Sequence, residues 1–168
     1  MLATAHPFAD GGDVPNNPDL PLILYRQALP ETGDRARAFE RLFVAHGWGG
    51  TWRNGIYPFH HYHSTAHEVL GIAAGSATVQ LGGAGGQTVE LAAGDAVLIP
   101  AGVGHKRLSA SPDLLVVGAY PLGQTWDLIR AEDVVDATAV RARISAVPMP
   151  ESDPILGSGG PLASLWAA

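Results

Sequence analysis

The chain has 168 residues, a length at which one domain buries roughly 70% of its unfolded surface, so a single sizeable core is available. A hydrophobic fraction of 46% and a charged fraction of 15% exclude an intrinsically disordered chain. The net charge of −6 argues against nucleic acid as a partner. The lack of cysteine excludes disulfides, thiolate nucleophiles and zinc fingers, so any metal must be bound by nitrogen and oxygen.

The N-terminal segment is rich in proline, glycine, asparagine and aspartate. Residues 1–21 are therefore expected to form an extended arm rather than a packed element. Neither a basic start followed by an apolar run nor a stretch of 18 apolar residues is present. We therefore expect a soluble, cytoplasmic protein without a membrane partner. Residues 22–25 follow as a predicted edge strand.

One segment has a clear helical period. Within residues 34–46 the apolar side chains of Phe39, Leu42 and Phe43 recur at three- and four-residue spacing. Thr32 can cap the start, and a glycine follows the end. This pattern predicts one N-terminal helix.

Residues 50–120 have a different pattern, in which short apolar runs alternate with turn residues. This rhythm is typical of an antiparallel sandwich or barrel. The glycine-rich residues 82–86 predict a hairpin tip, because no Lys-Ser/Thr pair and no helix follow as a phosphate-binding loop requires. The predicted strands cover residues 52–59, 67–72, 77–81, 88–91, 96–99, 105–108 and 114–120.

The C-terminal part is acidic and then proline-rich. Its acidic residues are interpreted as a solvated face, with a short helix near residues 136–143. Prolines predict an irregular arm over residues 147–168, which Leu162, Leu165 and Trp166 can anchor. Terminal arms with apolar anchors often pack across a two-fold axis, so we expect a homodimer, with arms wrapped around their own chain as the alternative. Residues 1–168 contain no internal repeat and are expected to form one domain.

Histidine is concentrated in one place. Seven histidines occur in the chain, and four of them lie within one eight-residue window. Residues two apart on a strand share a face, so His61 and His63 point to the same side. A hairpin turn at residues 64–65 would return the next strand beside the first, with either His67 or Glu68 opposite this pair. The pattern predicts a metal site and leaves the third ligand open.

Two short motifs surround these histidines, each with fixed gaps between its residues. The first contains, in order, Gly55, His61, His63, Glu68 and Gly75. The second contains, in order, Gly94, Pro100, Gly102 and His105. In this residue order and spacing the chain resembles the cupin superfamily. The first motif matches completely, whereas the second has Ser109 where the family pattern has Asn. The flanking residues 52–57 and 100–106 are similar to the YjlB-like bacterial cupins.

The resemblance implies an all-β fold, the cupin double-stranded β-helix or jelly roll, with one N-terminal helix and irregular N- and C-terminal arms. It also implies a metal inside one end of the barrel, bound by His61, His63, Glu68 and His105. Three imidazoles and a carboxylate suit one divalent ion of Fe, Mn, Ni, Cu, Co or Zn and disfavour Ca. On this reading Glu68 faces the metal, and His67 lies on the outer face or behind the ligands.

Strand parity extends the predicted site to possible pocket residues. Tyr57 and Phe59 share the face of His61, and Arg107 shares the face of His105. An inward Arg107 would bind a carboxylate, the alternative being that it leaves the mouth and meets solvent. Gln80 contributes if its strand face points inward and is otherwise a solvent-facing residue. His67 completes this possible pocket.

Four protein ligands on an octahedral metal leave two positions open, which is the arrangement of a catalytic site. The sequence therefore favours a metal-dependent enzyme, an oxygenase or an isomerase, acting on a small anionic or enolisable metabolite. The alternative is a non-catalytic cupin module that binds a small molecule or a sugar. A cupin-fused transcriptional sensor would need a helix-turn-helix segment, which one predicted helix does not supply.

Overall fold

The computed structural model describes residues 1–30 and 33–167. Strands dominate this part of the chain, and the helices are short. In chain order the elements are β1 (Leu2–Phe8), β2 (Asn17–Arg26), α1 (Arg35–Ala45), β3 (Trp48–Asn54), β4 (His61–Tyr62), β5 (Glu68–Ala74), β6 (Ser76–Leu81), β7 (Gln87–Ala92), β8 (Ala96–Ile99), β9 (His105–Ala110), β10 (Leu115–Pro121), β11 (Ile129–Arg130), α2 (Ala137–Ala146) and α3 (Leu162–Leu165).

The strands form two antiparallel sheets that pack face to face, which confirms the predicted jelly roll. The larger sheet has the order β1-β2-β8-β5-β10-β3, and the smaller sheet has the order β11-β4-β9-β6-β7. Both sheets keep their edges, so the structure is a sandwich rather than the closed barrel that was the other expectation.

The core lies between the sheets and on one outer face. Along β6, alternate residues such as Val79 and Leu81 point inward and are buried, as expected for a strand with one solvated face. Strand β5 is buried on both faces because α1 covers its outer side. Phe39 and Phe43 of α1 stack at 5.5 Å between ring centroids and supply much of that cover.

The expected N-terminal arm is wrong, because this segment contains β1 and the first half of β2. Strand β2 is an interior strand between β1 and β8, not an edge strand. The prolines of β2, Pro18 and Pro21, are compatible with this position because both precede the residues that have a strand partner on each side. Pairing with β8 covers only Ile23 to Tyr25.

Helix α1 falls within the predicted range, but its cap differs. The side chain of Asp34 accepts a hydrogen bond from the backbone N–H of Arg37 and caps the first turn. The proposed cap, Thr32, lies outside the described residues.

The hairpin expected at residues 64–65 is also wrong. Strand β4 pairs with β9 and β11, whereas β5 pairs with β8 and β10. The chain therefore crosses from the smaller sheet to the larger one between His63 and Glu68. The crossover is held by Asp127, whose carboxylate accepts the backbone N–H of Ser64 at 2.6 Å.

The C-terminal segment packs on its own chain and is only partly irregular. It contains α3, and the buried carboxylate of Asp153 accepts hydrogen bonds from the Tyr25 hydroxyl at 2.6 Å and from three backbone N–H groups. The indole of Trp166 is buried and donates to the Pro21 carbonyl at 2.8 Å. Because Leu162 and Trp166 are buried within one chain, they no longer support the expected homodimer.

No helix in the described ranges is both long enough and apolar enough to cross a bilayer.

Gly71→Ala should lower the free energy of unfolding by about 1–3 kcal/mol, the usual cost of overpacking a core. A methyl group at Gly71 would meet the ring of Phe39 at 2.6 Å. Denaturant unfolding measures the effect, with Gly85→Ala as the control, since that site has no atom within 4 Å. Combining Gly71→Ala with Phe39→Leu should cost less than the sum of the two single changes. Strict additivity would contradict the packing described.

Candidate metal centre

Residues from both sheets meet at one end of the sandwich. His61 lies in β4, and its register partner in the adjacent strand is His105, the first residue of β9. His63 follows β4 directly. Glu68 begins β5 in the opposite sheet, so its carboxylate reaches the histidines across the gap between the sheets. All four side chains are buried.

Three of these residues converge on a common point. The Nε2 atom of His63 lies 3.3 Å from one oxygen of Glu68, and the Nε2 atom of His105 lies 3.4 Å from the other. One ligand atom from each residue lies within 4.8 Å of the other two. A single ion at the centre of this triangle could contact all three groups.

The Nδ1 atoms of His63 and His105 indicate the charge that the cluster requires. Nδ1 of His63 faces the backbone carbonyl of Asp127, and Nδ1 of His105 faces that of Val103 at 3.1 Å. Both rings therefore have acceptors on both sides. Two imidazolium ions, or one divalent cation between neutral rings and the carboxylate, satisfy such an arrangement. The donor set consequently fits a divalent metal.

His61 stands beside this triangle rather than in it. Its ring centroid lies 4.0 Å from that of His105 and 6.1 Å from that of His63. Its Nδ1 faces the Phe59 carbonyl at 2.9 Å, which leaves Nε2 available as a ligand atom. The fourth ligand of the predicted set thus lies next to the other three, and its coordination remains a prediction.

The pKa shifts reflect the same electrostatics. Burial and the neighbouring His105 lower the pKa of His61 to about 3, so this ring stays neutral. Burial also disfavours a charge on His63, but the Glu68 carboxylate outweighs it and raises the pKa of His63 to about 9. Burial raises the pKa of Glu68 less than the two histidines lower it, so this carboxyl is ionised. The site is built to hold positive charge against Glu68.

Asp127 is a structural part of the site that the sequence did not indicate. Its backbone carbonyl orients His63, and its carboxylate accepts hydrogen bonds from the backbone and hydroxyl of Ser64. The Arg143 guanidinium of α2 donates to the same Ser64 hydroxyl at 3.0 Å. The acidic segment was interpreted as a solvated face, which is wrong for Asp127. Its position between two apolar residues, Trp126 and Leu128, was the available signal.

A cavity of about 480 Å³ opens onto the four residues. Tyr57 and Arg107, both proposed from strand parity, line it. Three aromatic residues of the lining, Trp52, Tyr120 and Trp126, were not anticipated. They come from β3, β10 and the following loop, and no local pattern relates these elements to the histidine motif.

Three other proposed pocket residues lie elsewhere. Phe59 sits behind Tyr57, with its ring centroid 4.9 Å away, and is not part of the lining. Gln80 is on the outer face of β6 and donates to the Ala84 carbonyl at 2.9 Å. His67 is fully buried on the opposite face from Glu68, where its ring packs 4.8 Å from that of Trp166. Strand alternation accounts for the positions of His67 and Gln80.

The comparisons with known proteins agree with this geometry. A family model described as "Cupin domain" matches residues 53–117. The "Uncharacterized protein YjlB" of Bacillus subtilis is 44% identical over 159 residues, which cover 95% of this chain and 93% of the relative. The chain belongs to the YjlB-type cupins. The residues of the candidate metal centre belong to the two cupin motifs.

Two solved structures match part of this chain. Acireductone dioxygenase from Bacillus anthracis, with a cadmium ion in its active centre, gives a TM-score of 0.42 at 14% identity, covering 76% of this chain and 82% of that one. An oxalate decarboxylase from Bacillus subtilis gives a TM-score of 0.41 at 16% identity, and the match covers 76% of this chain and 33% of that one.

Loss of a residue that hydrogen-bonds to a metal ligand typically costs roughly 10–100-fold in metal affinity. Glu68→Gln should weaken the binding of zinc by more than this. The amide keeps the size of the side chain but removes the charge facing His63 and His105. His67→Gln, one residue away on the opposite face, is the matched control and should change the affinity by less than about tenfold.

Competition with a metal-indicator dye measures both affinities, and circular dichroism checks that each variant is folded. A larger loss in His67→Gln than in Glu68→Gln would show that the carboxylate is not a ligand.

Proposed function

We propose that this cupin is a metal-dependent enzyme of the oxygenase or isomerase type that acts on a small anionic or enolisable metabolite. One divalent transition metal, Fe, Mn, Ni, Cu, Co or Zn, would be held by His61, His63, Glu68 and His105. The proposal rests on one observation. The imidazoles of His63 and His105 share the buried carboxylate of Glu68, and each ring faces a hydrogen-bond acceptor with both of its nitrogens. A metal held by these residues would supply Lewis acidity to a substrate carbonyl.

The cavity supports an enzyme over a structural metal site. A structural centre is closed by protein ligands, whereas here the ligand atoms line a space that small molecules can enter. The depth of the site also limits contact with bulk water, which strengthens electrostatic interactions with a bound substrate.

The charge of the lining favours an anion. Among the described residues that line the cavity, Glu68 is the one carboxylate. Arg53 also lines it but is paired with Glu40 at 2.6 Å. Arg107, in contrast, has no carboxylate within 4 Å in the described part of the chain. Its guanidinium is free to bind a substrate carboxylate through two hydrogen bonds.

Tyr120 lines the cavity as a protonated hydroxyl. Its hydroxyl accepts a hydrogen bond from the indole N–H of Trp52 at 3.0 Å. Burial and the Glu68 carboxylate raise the pKa of Tyr120 far above its ordinary value. The hydroxyl therefore stays protonated beside Glu68 and does not act as a base.

Small 2-oxo acids test the proposed function. The protein is loaded with each candidate metal in turn and mixed with a panel of these acids. With at least one acid it should either consume oxygen or exchange the proton beside the carbonyl for deuterium. Chelation should abolish either signal. Binding of these acids without metal dependence and without turnover would favour the non-catalytic module.

Arg107→Gln should weaken the binding of these acids by about tenfold or more, since a hydrogen bond to a charged group contributes about 1.5–3 kcal/mol. Arg107→Lys should retain part of the affinity because it keeps the charge and loses the paired donors. Arg41→Gln, on the exposed face of α1, is the control. Calorimetry measures the affinities, and an unchanged value in Arg107→Gln would contradict the assigned role.

A further inference from the structure

The cavity is large for the acids that its floor would bind. A cavity of about 150 Å³ is sufficient to enclose a benzene molecule. The space above the candidate metal centre measures about 480 Å³. A two- or three-carbon acid would therefore leave most of the space unfilled, and the fitting ligand has a body about the size of a ring or larger.

Aromatic side chains form the walls of this space. The rings of Tyr120 and Trp126 stack at 4.1 Å between centroids with an angle of 7° between their planes. Tyr57, from the segment after β3, is supported from behind by Phe59, and the Arg130 guanidinium lies 4.0 Å over the Phe59 ring. These contacts hold the wall rings in fixed orientations before any ligand arrives.

Two of the wall residues remain accessible. The side chain of Tyr57 is 50% exposed and that of Trp126 is 46% exposed, although both line the cavity. Aromatic rings of this size gain about 0.5–1.5 kcal/mol from a ring partner beyond the burial of area. Their exposed faces at the mouth are suited to a planar partner.

The polar side chains of the cavity lining indicate whether the bound molecule has an aromatic ring or is a sugar. A sugar has several hydroxyl groups, and each one loses free energy when buried without a partner. Among the described lining residues, Asn54 is the one with a hydroxyl or amide side chain of the Ser, Thr, Asn or Gln type. Its amide oxygen already accepts the Gly55 N–H at 2.8 Å. Apart from Asn54, Arg53 and the polar atoms of the Trp and Tyr side chains, the walls offer apolar surface, which favours an apolar ring over a body with several hydroxyl groups.

Building on the proposed function, we infer that the substrate is an aromatic acid. Its carboxylate and an adjacent oxygen would lie at the histidine and Glu68 floor beside Arg107, and its ring would lie against Tyr57 and Trp126. The substrate class is therefore an arene that carries a carboxylate with a neighbouring hydroxyl or oxo group.

Three 2-hydroxy acids with the same head group test this inference on the zinc-loaded protein. Mandelate has a phenyl body, hexahydromandelate has a cyclohexyl body of similar size, and lactate has a methyl group. Calorimetry should give mandelate at least about tenfold tighter binding than lactate, since one methylene in a fitted pocket contributes roughly 10–200-fold. Mandelate should exceed hexahydromandelate by about threefold, because the latter lacks the ring interaction.

Substitutions in the cavity walls test whether the aromatic residues cause the preference for mandelate. Tyr57→Leu and Trp126→Leu should each reduce the preference for mandelate over hexahydromandelate while lactate affinity changes by less than about twofold. Leu122→Ala, in the same loop as Trp126 but outside the lining, should leave the preference unchanged.

The failures are distinguishable. Equal affinity for mandelate and lactate, or for mandelate and hexahydromandelate, would overturn the aromatic substrate class and leave the metal-dependent site intact. Absence of metal-dependent binding for all three acids would overturn the proposed function together with this inference.

Discussion

The buried carboxylate of Glu68 is the charge on which the rest of the arrangement depends. It is 3% exposed and lies between two sheets that are otherwise joined by apolar contacts. Burial of an unpaired ion of this kind costs several kcal/mol. His63 and His105, on the side of the opposite sheet, compensate for it. One end of the sandwich is therefore held by electrostatics, and that end becomes the site.

This constraint explains why supporting residues are distributed over the chain. Two imidazoles can face one carboxylate only if their Nδ1 atoms have fixed acceptors, and backbone carbonyls at Val103 and Asp127 supply them. Asp127 in turn is fixed by Ser64, which Arg143 of α2 also contacts. The loop that orients His63 is the loop that carries Trp126 into the cavity wall. The candidate metal centre and the cavity wall thus share one support.

The sequence predicts the central strands well because glycine-containing turns mark their ends. Gly75 and Gly94 both adopt positive φ between buried strands, a conformation that few other residues adopt. Strand parity likewise places His67 and Glu68 on opposite faces, as the structure shows. Parity states which face a side chain takes, however, and not which sheet its strand joins. The pattern therefore predicts a hairpin where the chain crosses between the sheets after His63.

The remaining errors have the same origin in long-range contacts. Prolines predicted an unpaired N-terminus, but β2 gains two strand partners, one of which lies about seventy residues later in the chain. A bulge between β6 and β9 shifts the register, so that Ser109 pairs with Thr78 on the outer surface although strand parity alone would place it on the face of Arg107. The aromatic walls combine Trp52 with Tyr120 and Trp126, residues that only the β3–β10 pairing brings together.

The central claim is that one divalent ion lies between His63, Glu68 and His105, with His61 as the fourth protein ligand. X-ray absorption on protein loaded with one equivalent of zinc tests it most directly. The account predicts three imidazole nitrogens and at least one carboxylate oxygen at about 2.0–2.2 Å from the metal. A spectrum with oxygen donors alone, or with fewer than three imidazoles, would contradict it.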